Sequence, residues 1–340
     1  MRNELVLKSG YVEITNKCNL YCKHCYNDSK FQNSTFLSTN IIEELYKIFF
    51  ENNINQISIS GGEPLLHPDI ITILKYSTIY KIKTQLITNG ILLDQFCDHI
   101  NNNPDILVQL SIDGYGQIHD KIRGVGAFEI VNSNLSKLSN RVKLSIKSTI
   151  NSYNISQIET IVKYAIKKGA QTVAFSPLCN QGRSFNNREI HISGPQLKKA
   201  VDTVAELSEI YKDYIDVKKI KINYSQCPFS LSGSIDVSPR IDPFGNVFLC
   251  SMFTNPWFII GNLKCDDLIA ILKSEKCNNM MEFMHAFRNV IDCKQCLLND
   301  LCQKGCLAQY LNNMSHYQDD MCSVKKHDFC GFLKNNSVLL

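Results

Sequence analysis

Apolar residues alternate with polar ones in six short runs, and between those runs they recur every three or four positions. The alternating runs, at 11–15, 56–60, 84–88, 107–112, 143–150 and 172–176, read as strands. The intervening segments read as amphipathic helices. Over 40–51 one face collects Ile41, Ile42, Leu45, Ile48 and Phe49, and over 157–168 another collects Ile158, Ile161, Val162, Ala165 and Ile166. A further helix is expected over 195–211. Strand–helix units in unbroken succession predict an α/β domain with a parallel sheet and right-handed crossovers. The sheet is either open or curled into part of a barrel, and in both cases ligands belong at the C-terminal ends of the strands.

The pattern changes near 215–225. Residues 234–251 read as a hairpin, with Asp242, Pro243, Phe244, Gly245 and Asn246 as its turn. A cysteine-dense stretch follows. A boundary at 215/216 is therefore expected, with residues 1–215 as the α/β domain and 216–340 as a smaller α+β domain.

Composition narrows the classes. The chain has 340 residues, 44% of them hydrophobic and 20% charged, with a net charge of +4. No basic block reads as a nucleic-acid or membrane patch, and KKIK at 218–221 is a short solvated run. The N-terminal stretch lacks the apolar core of a signal peptide, and no apolar run is long enough to span a bilayer. A cytoplasmic protein is expected. Disulfides are rare in that compartment, so 15 cysteines, many of them clustered, point to metal.

Cys18, Cys22 and Cys25 follow the first strand with the spacing C-x3-C-x2-C. On a four-iron cluster, three cysteines leave one iron open to an exogenous ligand. A zinc site would need a fourth ligand, for which His24 is available, but this spacing is unusual for zinc. Gly61-Gly62-Glu63-Pro64 follows the second strand, Thr88-Asn89-Gly90 the third and Ser111-Ile112-Asp113-Gly114 the fourth. Each alone is a turn. Repeated at successive strand ends, on the side where the cysteines lie, they suggest a ligand site in which a carboxylate could hold an ammonium group.

TNKCNLYCKHCY, SGGEPLLHPD, LITNG and LSIDG resemble the radical S-adenosylmethionine (SAM) superfamily over roughly the first 215 residues. The resemblance implies a partial (β/α)6 barrel, with Cys18, Cys22 and Cys25 holding a [4Fe-4S] cluster that cleaves SAM reductively to a 5′-deoxyadenosyl radical. It implies Gly61, Gly62 and Glu63 at the SAM amino group, His24 against adenine in place of the usual aromatic residue, and Asn89 and Ser111 as further SAM contacts. Lys147 is a candidate partner for the SAM carboxylate, or an ordinary surface lysine.

Cys293, Cys296, Cys302, Cys306 and Cys322 form a second series, preceded by Cys227 and by Cys250 at the end of the hairpin. The series resembles the SPASM domain, which implies two auxiliary iron–sulfur clusters. Cys293, Cys296, Cys302 and Cys322 would bind the outer one, and Cys227, Cys250 and Cys306 the inner one. Lys221 stands where some members carry an eighth ligand, so the inner cluster has an open iron or takes a ligand such as Cys179 or Cys330. Cys179, just after the sixth strand, is also a candidate hydrogen-atom donor. Cys97, Cys265 and Cys277 read as structural.

The function this implies is hydrogen abstraction from a ribosomally made peptide, giving a thioether, a C–C crosslink or an epimer. Expected partners are the peptide, a separate leader-peptide-binding protein (few residues precede the first strand) and an electron donor such as flavodoxin or ferredoxin. The alternatives are a tetrapyrrole or cofactor precursor as substrate, sulfatase maturation, or a zinc-binding interaction protein. Ser251, directly after Cys250, counts against sulfatase maturation, whose enzymes carry aspartate there.

Overall fold

The computed structural model describes residues 5–220, 235–290 and 308. The chain forms two compact units: Tyr11–Ile220 with Asp242–Phe244, and Met1–Gly10 with Lys221–Ile241 and Gly245–Leu340.

Strand β1 (Leu5–Leu7) belongs to the second of these. The first unit is built on β2 (Gly10–Glu13), β3 (Gln56–Ser60), β4 (Lys83–Thr88), β5 (Ile106–Ser111), β6 (Lys143–Ile150), β7 (Thr172–Pro177) and β8 (Asp216–Lys218). These strands lie side by side in chain order, and every pair from β3 to β8 is parallel. The crossovers carry α1 (Thr39–Glu51), α2 (Ile70–Ile79), α3 (Cys97–Asn101), α4 (Gln117–Arg123), α5 (Ala127–Leu135), α6 (Ile158–Lys167), α7 (Arg183–Asn186) and α8 (Gly194–Ile210). Right-handed crossovers in strict sequence put the helices on one face. A doubly wound sheet would reverse its order partway, so this topology is that of a barrel wall.

The two faces of the sheet differ in chemistry. Ile57, Ile59, Leu86, Val108, Leu110, Ile146, Val173 and Phe175 are buried. Ile42, Leu45, Ile48 and Phe49 of α1 and Ile158, Ile161, Val162 and Ala165 of α6 are buried with them, as their spacing predicts. The alternate strand positions Ser58, Gln85, Gln109, Ser111, Ser145 and Lys147 retain solvent exposure. Some of them bond across strands. Ser58 Oγ donates to Gln85 Oε1 at 3.0 Å, and Gln85 Nε2 to Gln109 Oε1 at 3.1 Å. Thr172 Oγ1 donates to Ser145 Oγ at 2.6 Å. An inner face of this composition suits water or a polar ligand rather than apolar packing.

Two features exceed the expectation. Strand β8 adds a seventh strand to the six read from the sequence, and Gly124 and Gly126, at φ +140° and +77°, split the segment between β5 and β6 into α4 and α5.

In the second unit β1 pairs in parallel with β9 (Ile235–Val237), Leu5 facing Ile235. The hairpin expected over 234–251 is present: β10 (Arg240–Ile241) runs antiparallel to β11 (Asn246–Phe248), which also pairs with β12 (Gly261–Asn262). The turn holds because Asp242 Oδ1 accepts the Phe244 N–H at 2.9 Å and Gly245 sits at φ +87°. Helices α9 (Leu268–Lys273) and α10 (Glu275–Val290) follow. Phe253 and Phe258 meet at 4.6 Å between ring centroids, and Trp257 meets Phe283 at 5.2 Å. Cys277 is fully buried and Cys265 exposed. Among the described residues no helix is long and apolar enough to cross a membrane.

Candidate active site

The loop after β2 carries Cys18 and Cys22, both buried, and Cys25, half-buried. Neighbouring strand ends hold its shape through backbone hydrogen bonds. The Gly62 N–H donates to the Thr15 carbonyl and the Glu63 N–H to the Lys17 carbonyl, both at 2.7 Å. These approaches require glycine: a Cβ on Gly61 would fall on the Thr15 carbonyl and one on Gly62 on the Lys17 carbonyl. Across the loop, the Lys23 N–H donates to the Ile122 carbonyl of α4 at 2.9 Å.

Arg183, at the start of α7, closes the other side. Its Nε donates to the Cys22 carbonyl at 2.8 Å and its Nη1 to Asp28 Oδ1 and the Ser29 carbonyl at 2.9 and 2.8 Å. Its guanidinium lies 3.9 Å from the centroid of the Tyr21 ring. Asn187 Nδ2 adds a bond to the Lys23 carbonyl at 3.0 Å.

Donors also reach the sulfurs. The Leu20 N–H lies 3.5 Å from Cys18 Sγ, Asn89 Nδ2 3.8 Å from the same atom, and Arg123 Nη1 3.9 Å from Cys22 Sγ. Burial pushes the Cys18 and Cys22 thiols up to about 12 and about 11. The field of Cys25 adds to the shift at both. Among the described residues no three Cys, His, Asp or Glu side chains converge on a point that would hold a single ion. An iron–sulfur cube needs no such convergence, because each cysteine binds its own iron. Three cysteines on one loop, two of them buried with N–H donors at their sulfurs, therefore fit a cluster.

Glu63 is fully buried, and its carboxylate accepts three bonds: from Thr88 Oγ1 at 2.7 Å, Leu65 N at 3.2 Å and Asn89 N at 2.8 Å. It thus braces the end of β3 against the end of β4. Burial raises its pKa to about 7, against those donors, which favour the ionised form. For an acid so raised, the stabilising contribution is complete below the unfolded pKa near 4.5 and is lost as pH rises through 7. Glu63→Gln turns an NH2 toward one of the donors. It is expected to cost about 1–3 kcal/mol at pH 5 and less at pH 8. Urea denaturation of the cluster-free protein at the two pH values checks this, and a gap that widens with pH would refute it.

Asn89 follows β4 and is buried, with Nδ2 donating to Asn19 Oδ1 at 2.8 Å besides its approach to Cys18. Ser111 ends β5 and lies in register with Lys147 on β6. Lys147 is open to solvent yet surrounded by protein, which lowers its pKa, while the Cys179 thiol acts in the opposite sense. Cys179 follows β7, and its carbonyl accepts from Gln181 N at 2.9 Å.

His24 turns its Nε2 edge to Asp113 Oδ2 at 3.3 Å, and its Nδ1 is buried without a hydrogen-bond partner. Burial pushes its pKa down to about 4, so the ring is neutral near pH 7. Asp113 also receives Arg123 Nε at 2.6 Å and Thr149 N at 2.7 Å. Burial would raise its pKa, but Arg123, His24 and the Thr149 N–H outweigh that and keep it below the ordinary value.

The fold thus gathers Cys18, Cys22, Cys25, Gly61, Gly62, Glu63 and Asn89 directly, with Ser111 at the next strand end. Sequence reasoning missed Arg123, Arg183, Gly182 and the brace from Thr88. Cys250 is half-buried at the end of the hairpin, while Cys227, Cys293, Cys296, Cys302, Cys306, Cys322 and Cys330 lie outside the described residues.

Family models match in two places: the radical SAM superfamily over residues 12–165, and the SPASM iron–sulfur cluster-binding domain over residues 234–304. The mycofactocin maturase MftC of Mycolicibacterium smegmatis is 26% identical over 314 residues, 87% of this chain and 77% of its own. The antilisterial bacteriocin subtilosin biosynthesis protein AlbA of Bacillus subtilis is 24% identical over 323 residues, covering 93% and 70%. Among solved structures, Streptococcus suis SuiB bound to S-adenosylmethionine superposes with a TM-score of 0.73 at 16% identity, covering 95% of this chain and 78% of that one. Native anSMEcpe with bound AdoMet and Cp18Cys peptide gives 0.68 at 18% identity, covering 97% and 96%. Sequential parallel strands, three cysteines on one loop and the two family matches agree: the chain carries a radical SAM domain followed by a SPASM iron–sulfur cluster-binding domain.

Proposed function

We propose that this enzyme modifies a ribosomally made peptide by removing hydrogen from one of its residues, giving a thioether, a C–C crosslink or an epimer. The observation that carries this reading is the polar face of the sheet formed by Ser58, Gln85, Gln109, Ser111, Ser145 and Lys147. Its Ser, Gln and Lys side chains suit the amides and polar side chains of a peptide. The relatives favour the same substrate class: AlbA serves bacteriocin biosynthesis, and SuiB has been crystallised with its precursor peptide SuiA.

In this reading Cys18, Cys22 and Cys25 hold the cluster, and SAM completes it on the side of Gly61 and Gly62. Bound there, the two supply one-electron chemistry that yields a 5′-deoxyadenosyl radical able to take hydrogen from carbon. The protein's own part is geometric. The Gly61-Gly62 backbone meets the SAM amino group while Glu63 braces it from behind. His24 lies beside the adenine, and Asn89, Ser111 and Lys147 supply polar contacts. Cys250, with Cys227, Cys293, Cys296, Cys302, Cys306 and Cys322, binds the two auxiliary clusters. Cys179, in the field of Lys147, is the candidate hydrogen donor for an epimer product. A flavodoxin or ferredoxin supplies electrons, and a separate protein presents the leader peptide.

The test is anaerobic turnover of the reconstituted enzyme with SAM, dithionite and candidate precursor peptides, read by mass spectrometry. A peptide lighter by two hydrogens supports a crosslink. Deuterium taken up from D2O without net mass loss supports an epimer, and Cys179→Ala should then stop the uptake. SAM cleavage that leaves every peptide unaltered, but changes a tetrapyrrole, would overturn the peptide reading.

A further inference from the structure

Arg123 stands between a carboxylate and a thiol, and both contacts are buried. Its Nε edge donates to Asp113 Oδ2 at 2.6 Å, while Nη1 points at Cys22 Sγ, 3.9 Å away. Arg123 is 8% exposed and Asp113 fully buried. Asp113 is fixed in turn. Thr149 N donates to its Oδ1, His24 Nε2 reaches its Oδ2, its own N–H meets His119 Nδ1 at 3.2 Å, and Asn154 Nδ2 donates to its carbonyl at 2.9 Å. Asp113 therefore cannot swing, and Arg123 is held with one edge toward the sulfur.

A buried ion pair gains little over well-packed apolar side chains of the same volume, because desolvation consumes most of the attraction. Stability alone thus gives no reason for this pair. Its orientation supplies one: Arg123–Asp113 is a dipole with its positive end on the Cys22 sulfur. A cluster that gains an electron gains negative charge, and N–H donors and positive potential at its sulfurs stabilise that form.

We propose that Arg123 is a positioning residue for electron entry: clamped by Asp113, it donates a charge-assisted N–H to the Cys22 sulfur and so raises the reduction potential of the cluster held by Cys18, Cys22 and Cys25. The inference rests on the reading that these cysteines hold the cluster. The electron itself comes from an external one-electron reductant and passes to SAM, so no group of the protein is consumed.

The experiment uses the full-length enzyme, reconstituted anaerobically and poised in a dye-mediated titration read by electron paramagnetic resonance. The relevant cluster is the one whose signal changes when SAM is added. In Arg123→Lys the shorter, single-headed side chain cannot serve Asp113 and Cys22 together. In Arg123→Met with Asp113→Asn the dipole is removed and no bare carboxylate is left behind. Both variants should load iron at this site. At a fixed poise the ratio of reduced to oxidised cluster should fall about tenfold in the double variant, which for one electron is a shift of about 59 mV to more negative potential. Arg123→Lys should lie between it and the wild type. SAM cleavage should fall with a weak reductant such as flavodoxin and recover with a stronger one.

A potential equal to wild type in either loaded variant overturns the proposal while leaving the cluster assignment intact. So does Arg123→Lys that folds by circular dichroism but loads no iron at this site, because Arg123 would then serve assembly rather than potential. A wild-type protein with no SAM-responsive signal, despite full iron loading, overturns the cluster assignment and this inference with it.

Discussion

Alanine at any one of Cys18, Cys22 or Cys25 is expected to lower SAM cleavage on the order of a thousandfold, the equivalent of ~4 kcal/mol of barrier. Each of the three thiols is to hold a different iron. His24, the nearest substitute by sequence, turns its Nε2 edge to Asp113 Oδ2 at 3.3 Å. The assay is 5′-deoxyadenosine formed under dithionite, with iron measured in the same samples. Alanine at Cys97 or Cys277 is the control, because both are buried core thiols and Cys97 Sγ donates to the Leu93 carbonyl at 3.2 Å. Wild-type cleavage rates in any of the three site variants would remove the cluster assignment.

The second large effect is expected at a residue with no chemistry of its own. Gly182 adopts φ +59°, and a Cβ there would run into the carbonyl oxygens of Cys25 and Tyr26. Those carbonyls belong to the loop that positions the third cysteine, and the Cys25 carbonyl also accepts the Arg183 N–H at 2.9 Å. Gly182→Ala therefore carries left-handed backbone strain together with a clash that only displacement of the cysteine loop relieves. About 3 kcal/mol or more of stability should be lost. Gly169→Ala separates the two causes: it shares the left-handed conformation, at φ +71°, but a Cβ there meets nothing within 4 Å. It should cost only about 1 kcal/mol and leave iron loading unchanged. Thermal melting and iron per chain, measured on both variants, check the pair. Equal effects would mean that the approach of Gly182 to the cysteine loop is unimportant.

The contrast between these two predictions marks what the sequence revealed. Helix α1 and the strands of the first unit were legible because burial imposes a local period: Ile42, Leu45 and Ile48 must share a face, and Ile57 and Ile59 must point the same way. The cysteine triad was legible from spacing, and Gly61 and Gly62 from their place after a strand. Strand β8 was not, since three residues, Asp216–Lys218, carry too little alternation to register. Nor was the pairing of Leu5–Leu7 with Ile235–Val237, because register between distant segments leaves no local trace. Arg123 and Arg183 were missed for the same reason: each reads as an ordinary basic residue until the fold sets it against Cys22. Glu63 shows a different limit. A carboxylate after two glycines suggests a ligand for an ammonium group, but its further part in bracing Thr88, Leu65 and Asn89 across two strand ends leaves no mark in the sequence.

The bond from Arg183 to the Cys22 carbonyl joins residues 161 positions apart. During synthesis the three cysteines leave the ribosome early, while the guanidinium and glycine that shape their loop emerge only after strand β7 has been made. A nascent chain short of that point presents loose thiols without a pocket. Maturation of the iron centre proposed on this loop is thereby placed after translation of most of the α/β unit. Until then the thiols are open to oxidation and to stray metals, and cellular iron delivery has to meet a nearly finished barrel rather than a growing chain.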